Sequence, residues 1–525
     1  MKGDDVLINR IMELLERIAK WLGRASAWRS RFNRQMRARH SPNLLAMIET
    51  GVVALLAVLI LFVPNYLGMG NDNVAEEKMG YYRLAYLDED AEAMDGATNA
   101  YFTRIYGITS VERGTEFSLQ GAMVMLARAL DWLFTRDQRF DVRFLAFLYL
   151  LLYLPAVFLV LKAALERVKS FSESLLLAVV GALIFSDISY VAYFNSLYPD
   201  ALFFILLLYM AGCSLLMHRE SRFQNVYVLL LTLASMGFCL VARRGFLGGL
   251  VMASFLLMQL RQLPARGERV FCVVAATFVL TATVVSFLGL RSEFGDTGKY
   301  HAMTRGVLLQ SSDPGKTLED MGISVSYSVL ADDSLYEAYP VTRLGNPLIG
   351  EEFLRRYTTR DIALYYVSHP GAMISMWDLG VKAAMNLRRD YCGNYELSAG
   401  MPPMGKSLMC SVWSVFKERS APKTIGYVLV LAVIAFATTG RKLFGRRANA
   451  GRSDYTHFMT CACMLAVGMA DLTYVIMHSG DAQLIQYNIV LGAVMDILLY
   501  FVFAELLSKL NVLEDSDSDN HREDA

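Results

Sequence analysis

The chain has 525 residues, with 50 Lys and Arg against 50 Asp and Glu and a formal net charge of zero. It is 55% hydrophobic and only 19% charged, where an ordinary soluble domain carries about 25% charged residues. The balance excludes a nucleic-acid partner held by bulk charge. The apolar excess excludes a soluble globular domain, because it is gathered into runs of about twenty residues, long enough to cross a ~30 Å hydrocarbon core.

Taken in chain order, residues 1–42 form a basic segment with ten Lys and Arg against four Asp and Glu. Within it, Leu7, Ile11, Leu14, Leu15, Ile18, Trp21 and Leu22 predict an amphipathic helix over 4–24, lying on the inner leaflet or packed on inner loops. Ten spans are then predicted, over about 43–64, 142–163, 172–190, 199–217, 225–241, 245–261, 268–289, 424–440, 456–477 and 484–508. The first is not a cleaved leader, since it follows a long basic segment and no small-residue cleavage site comes after it. Every loop that alternation then places inside carries Lys or Arg, for example Arg441, Lys442, Arg446 and Arg447. Both termini are therefore expected in the cytoplasm. The fold class expected is an all-α polytopic bundle, with a transmembrane domain over 43–509 and an acidic, disordered cytoplasmic tail over 510–525.

Two outer loops are long, about 65–141 and 290–423. Leu119, Met123, Leu126, Leu130 and Leu133 in the first, and Ile374, Trp377, Val381 and Met385 in the second, recur at helical spacing and predict helices resting at the interface. Long outward loops suit an enzyme with an outward-facing site better than a plain channel. No separate nucleotide-sugar-binding domain is visible. Of seven cysteines, Cys392 and Cys410 share the second loop, where an oxidising compartment permits a disulfide. The run Gly400-Met-Pro-Pro-Met-Gly405-Lys406-Ser407 fits a P-loop expression, but no strand precedes it and two prolines remove amide donors that a phosphate would need.

The residues with candidate chemistry cluster at membrane boundaries. Asp72 is the carboxylate nearest the first span and could accept a proton from an attacking hydroxyl; an Asx-turn or helix cap is the competing reading. The stretch from Asp187 to Asp200 holds Tyr193, Asn195 and Tyr198, and aromatic faces beside carboxylates and amides suit a sugar ring. Arg243 and Arg244 break the positive-inside pattern, and a guanidinium pair suits a phosphate; a headgroup contact or ion pair is the alternative. In the last outer turn His478 reads equally as a structural residue, and Asp481 is well placed as an N-cap.

With these residues in view, the layout resembles the GT-C superfamily of polytopic glycosyltransferases, in particular bacterial polyprenyl-phosphate-sugar-dependent members. The resemblance spans about 43–508. It rests on Asp72 in an acidic first loop, the segment Asp187–Asp200, Lys299-Tyr300-His301, Ser312-Asp313-Pro314, Tyr365-Tyr366-Val-Ser-His369-Pro370 and Gly480-Asp481. It implies an inverting transferase of the bacterial plasma membrane. Such an enzyme moves a sugar from a polyprenyl-phosphate donor to a glycan, lipid or protein acceptor. Asp72 would be the base, with Asp187 and Asp200 as rivals and Asp88-Glu89-Asp90 as a further candidate. Tyr193, Asn195, Arg243, Arg244, His478 and Asp481 would contact substrate. A divalent cation, Mg or Mn, at Asp72 or Asp187 is compatible with this reading. A transporter or flippase of a lipid-linked glycan is the alternative function.

Overall fold

The computed structural model describes residues 41–523 apart from 65, 95–96, 111–116, 218–222, 264, 338, 344 and 445–450, together with residue 33. The amphipathic helix expected over 4–24 lies outside the described residues. The first span is α1, Pro42–Phe62, started by a Ser41 hydroxyl that accepts from Leu44 N–H and by Pro at its first position. Next come β1 Leu67–Met69, α2 Asn73–Tyr81, β2 Leu84–Ala85, α3 Asp88–Met94, β3 Ile105–Ile108, α4 Leu119–Thr135 and β4 Arg139–Asp141. The central helices are α5 Arg143–Leu165, α6 Phe171–Phe185, the single-turn α7 Ile188–Val191, α8 Asp200–Leu216, α9 Gln224–Val241, α10 Phe246–Gln259 and α11 Arg266–Gly289. After them come α12 Gly295–His301, running on into a π-helical turn over Ala302–Leu308, then α13 Pro314–Asp320, α14 Thr359–Ser368, α15 Pro370–Met385 and β5 Cys392–Tyr395. The chain ends with α16 Val412–Ser420, α17 Ile425–Phe444, α18 Arg452–Ser479, α19 Leu484–Tyr487 and α20 Ile489–Glu523.

The protein is thus an all-α polytopic membrane protein, with a helix at each of the ten expected spans. Six of them are long and apolar enough to cross a membrane, and eight if two bent pairs each count as one span. The ten-span expectation is corrected at the short helices. At 1.5 Å per residue, α10 with 14 residues reaches only about 21 Å against a ~30 Å hydrocarbon core. Helix α8 has 17 residues, all buried except Tyr209; it is the central post, packed against α5, α9, α18 and α20. A second correction concerns the tail. Beyond residue 510 the chain continues α20 to Glu523 rather than leaving it as an irregular segment. A span already formed supplies the nucleus, so each added turn avoids the unfavourable step of starting a helix.

Small strands tie the connecting segments together. β1 pairs antiparallel with β5, and β2, β3 and β4 form a second small sheet. The first pairing holds residues 67–69 against 392–395, so the two long segments share one end of the bundle. The candidate disulfide does not form: Cys392 and Cys410 are free thiols. Cys392 is buried in β5 with its Sγ 3.9 Å from the Ile188 carbonyl, and the Cys410 carbonyl instead accepts from Ile188 N–H. Each cysteine is committed to the backbone of α7. The P-loop-like run sits against β5, where Tyr395 N–H donates to the Gly405 carbonyl and Ser407 N–H to the Gly393 carbonyl. It frames a strand edge rather than a phosphate.

Glycine allows a close helix approach in the bundle. A Cβ at Gly212 of α8 would lie 2.9 Å from Leu159 Cβ and 3.0 Å from backbone atoms of Leu159 and Val160 in α5. At Gly51 of α1 a Cβ would meet nothing within 4 Å. Gly→Ala in a helix gains up to about 1 kcal/mol of propensity, whereas overpacking loses about 1–3 kcal/mol. Gly212→Ala is therefore expected to lower the thermal or denaturant midpoint and Gly51→Ala to leave it equal or higher. Equal effects of the two in an unfolding titration would contradict the close α5–α8 contact.

Candidate functional site

Asp72 stands where β1 ends and α2 begins. Its Oδ1 accepts from Ala75 N–H at 3.1 Å, capping α2, so the helix-cap reading of this residue describes one of its two oxygens. The other, Oδ2, accepts from the Tyr391 hydroxyl at 2.8 Å and from Gln486 Nε2 at 3.1 Å. Its backbone N–H donates to the Tyr198 hydroxyl at 3.1 Å, and that hydroxyl donates to the Gly70 carbonyl at 3.3 Å. A half-buried carboxylate is therefore fixed by four chain segments that meet at the loop-bearing end.

Beneath it lies a buried charge network. The Arg244 guanidinium, 1% exposed, donates to Asp471 Oδ2 at 3.2 Å and to the Tyr487 carbonyl at 2.5 Å, with Asp200 and Glu293 each 3.9 Å away. Arg389 reaches Asp200 at 3.5 Å, donates to the Gln486 carbonyl, and lies over the ring of Tyr193 at 5.2 Å. Asp200 is the first residue of α8, so the central post ends in a carboxylate clasped by two arginines.

The candidate residues separate on this geometry. Asp72, Asp200, Tyr193 and Arg244 belong to one connected cluster. Asp187 does not. It caps α7, its Oδ1 accepting from Ser189 N–H at 2.9 Å, and its Oδ2 accepts from Ser414 N–H at 2.9 Å, which ties α16 to α7. Asn195 donates to the Leu61 and Leu67 carbonyls at 3.1 and 2.9 Å, joining the end of α1 to β1. His478 is stacked on Tyr474, rings 3.9 Å apart, with Nδ1 against the Tyr474 carbonyl. Asp481 is not the expected N-cap. Its carboxylate takes a two-pronged contact from Arg305, Nε at 2.7 Å and Nη2 at 2.9 Å, and a bidentate guanidinium outcompetes a backbone amide for a carboxylate. The run Asp88-Glu89-Asp90 lies on α3, with Asp88 and Glu89 exposed. Among the described residues no group of three His, Cys, Asp or Glu side chains could hold a metal ion.

The arginine pair is split by the turn that holds it. The 3₁₀ turn Arg243–Gly245 sends Arg244 into the buried network, whereas Arg243 lies over Phe287 at 5.2 Å and lines a cavity of about 140 Å³. Glu77, Lys78, Arg291, Glu293 and Tyr487 also line it. Arg243 Nε is buried and makes no hydrogen bond among the described residues. Tyr81, Phe117, Ser118 and Leu290 line both this cavity and a larger, mainly apolar groove of about 610 Å³. That groove runs between α4 and the ends of α9 and α11, past Leu119, Ala122, Met125 and Leu240. Beside it α4 exposes Met125, Leu126, Trp132, Leu133 and Phe134, as an interfacial helix does.

Residues 331–337 and 339–341 lie against α12. The Asp333 carboxylate accepts from the Tyr300 hydroxyl at 2.5 Å and from Val341 N–H at 2.8 Å, and Leu335 N–H donates to His301 Nε2 at 3.0 Å. Arg305, in the π-helical turn, links Asp481 to Asp332. Tyr336 packs on His301 with ring centroids 4.8 Å apart and accepts from Gln483. Burial, then the charges of Asp72 and Glu77, push its phenol up to about 12.

Sequence reasoning missed Arg389, Tyr391 and Gln486. The Arg388-Arg389 pair, in a segment expected outside, carried the same signal against the charge rule that singled out Arg243 and Arg244.

The family model described as the YfdI N-terminal transmembrane domain matches residues 29–524, and the chain belongs to that family. No curated protein and no solved structure matches.

Two outcomes follow from this geometry. Removing one partner of a buried ion pair destabilises by about 3–5 kcal/mol, so Arg244→Met should unfold at much lower denaturant than wild type. Arg243→Ala should stay near wild type, and similar losses in both would refute the split. The second concerns acidity. Burial, with help from Arg305, pushes the His301 imidazole down to about 4, while an unfolded histidine titrates near 6.5. Below pH 6.5 the unfolded chain takes a proton that the folded imidazole refuses, so stability falls as pH drops from about 6.5 to about 4. The loss should be smaller in His301→Asn, whose side-chain oxygen can still accept from Leu335; parallel pH profiles of melting temperature would contradict this.

Proposed function

We propose that this member of the YfdI N-terminal transmembrane family is a membrane glycosyltransferase that moves a sugar from a polyprenyl-phosphate donor to an acceptor hydroxyl of a surface glycan, lipid or protein. One observation carries the reading. The fixed carboxylate of Asp72 begins the short helix α2, whose next turns line a cavity holding Arg243, and that cavity shares walls with an apolar groove beside α4. A lipid phosphate needs those three surroundings in that order: greasy, cationic, then the reacting end.

In this scheme the polyprenyl chain lies along the groove and its phosphate meets Arg243, with Arg291 and Lys78 on the same wall. A guanidinium offers paired donors to phosphate oxygens. The acceptor O–H gives its proton to Asp72 as the oxygen bonds to the anomeric carbon from the face opposite the phosphate. The bond from that carbon to the phosphate oxygen breaks, and the phosphate leaves with the electron pair. The products are an inverted glycoside and polyprenyl phosphate, and Asp72 returns its proton to water. Tyr391 and Gln486 act as positioning residues, since they aim Asp72 and touch no reacting atom. Arg244 and Arg389 hold Asp200 and the end of α8 in place. Arg243 acts on the charge that grows on the departing phosphate. Both long segments face outward in this reading, with the termini in the cytoplasm.

The test is transfer by purified protein from polyprenyl-phosphate sugars, with products read by mass spectrometry. Asp72→Asn keeps size and part of the hydrogen bonding but cannot take a proton, so turnover should fall by about 10²–10⁴-fold with donor affinity little changed. Arg243→Ala should weaken donor binding by about 1.5–3 kcal/mol, the scale of a lost charged hydrogen bond. An active Asp72→Asn enzyme would remove the base. Donor flipping across vesicles without any transferred sugar would favour a flippase.

A further inference from the structure

A second cavity lies away from the Asp72 cluster. It measures about 830 Å³, within the ~300–1,000 Å³ of small-ligand sites. Its walls are α13 with the residues leading into it, and α14 with the start of α15. Ser311, Asp313 and Lys316 line one wall, and Arg356, Tyr365 and His369 the other. Tyr365 is buried and His369 is stacked on it, ring centroids 4.4 Å apart and 24° from parallel, leaving the imidazole exposed. Lys316 and Arg356 are exposed as well.

The cavity belongs to the same end of the bundle as Asp72 but not to the same site. Helix α14 packs on the π-helical turn, whose Arg305 grips Asp481 in the segment leading to Gln486. Two neighbours on α14 face apart. Tyr365 lines the cavity, while the Tyr366 hydroxyl lies where a Cβ on Gly306 would come within 2.9 Å. The lining chemistry is specific in kind. Hydroxyls that donate and accept alternate with carboxylates that accept and cations that donate, beside a flat ring. Met321, Leu364 and Ala372 also line it, but they are interspersed with hydroxyls and charges, unlike the mainly apolar groove beside α4. Charges of both signs face inward, which disfavours a polymer of one sign such as nucleic acid. A sugar ring presents hydroxyls of both roles and a C–H face, and so fits every wall.

We propose that this cavity is a second saccharide site, gripping a sugar unit of a glycan acceptor at a distance from the hydroxyl that is modified. The inference rests on the glycosyl-transfer reading above and names the acceptor class as a glycan rather than a lipid or a protein. Binding at a remote unit raises the acceptor's occupancy without touching the reacting atoms.

The full-length protein in detergent is applied to an array of bacterial surface polysaccharides, and any retained glycan is then used as acceptor. Wild type retains at least one, and Asp72→Asn retains it equally. Two variants should lose about tenfold or more in affinity, a difference of about 1.4 kcal/mol. One is the double change Arg356→Ala, His369→Ala. The other is Gly371→Phe, which fills the cavity from a position where an added Cβ meets nothing within 4 Å. Both should raise the KM for the polymeric acceptor. Unchanged melting temperatures certify that the variants are folded, and a variant that melts early is replaced by Gly371→Gln. No retained glycan, or retention indifferent to these changes, overturns the proposal. Failure of the transferase reading looks different: no sugar is transferred, or Asp72→Asn stays active, while retention persists and still depends on Gly371.

Discussion

Arg244 holds together what the membrane would otherwise forbid. An isolated ion buried in a low-dielectric interior is destabilised by several kcal/mol even after relaxation, yet here Asp200, Asp471 and Glu293 are buried around one guanidinium. None of the four is tolerable alone. Because they come from α8, α18, the α11–α12 connection and the α9–α10 turn, satisfying them fixes four parts of the bundle at one point. Arg389 extends the same clasp to the end of α15, and through the Gln486 carbonyl to the last turn. The position of Asp72 follows, since Tyr391 lies two residues after Arg389 and Gln486 one before Tyr487.

This network explains why the polar stretch before α8 does two jobs. Asn195 and Asp187 are spent on backbone groups, one pinning α1 to β1 and the other capping α7 and holding α16. Tyr193, Tyr198 and Asp200 face the arginines and Asp72. Adjacent positions in a single-turn helix and a 3₁₀ turn point in different directions, so one dense sequence feature divides between structure and site.

The helical bundle was legible in the sequence because twenty-residue apolar runs leave few alternatives, and the helices α4 and α15 showed in their periodicity. Span lengths were less legible. Helix α10 is apolar throughout, and hydropathy alone does not reveal that it stops after 14 residues. Asp72 was visible as the first carboxylate after a span, and Arg243 as a charge on the wrong side. Their partners were hidden, because Tyr391 and Gln486 lie 319 and 414 positions from Asp72 and nothing local marks a hydrogen bond of that range. The roles of Arg243 and Arg244 were indistinguishable for the same reason, since the turn that parts them is a matter of tertiary direction. The candidate Cys392–Cys410 disulfide failed because sharing a loop says nothing about which way each thiol turns.

The antiparallel pairing of β1 with β5 also bears on how the protein is made. During synthesis the first span and β1 emerge more than three hundred residues ahead of the strand that completes their sheet. Until then Asp72 has neither Tyr391 nor Gln486 beside it, and the carboxylates destined for Arg244 arrive from separate insertion events. A ribosome that stalls before the last two helices leaves a chain whose Asp72 still lacks Gln486. The arrangement around Asp72 is thereby complete only once the last helices are in place.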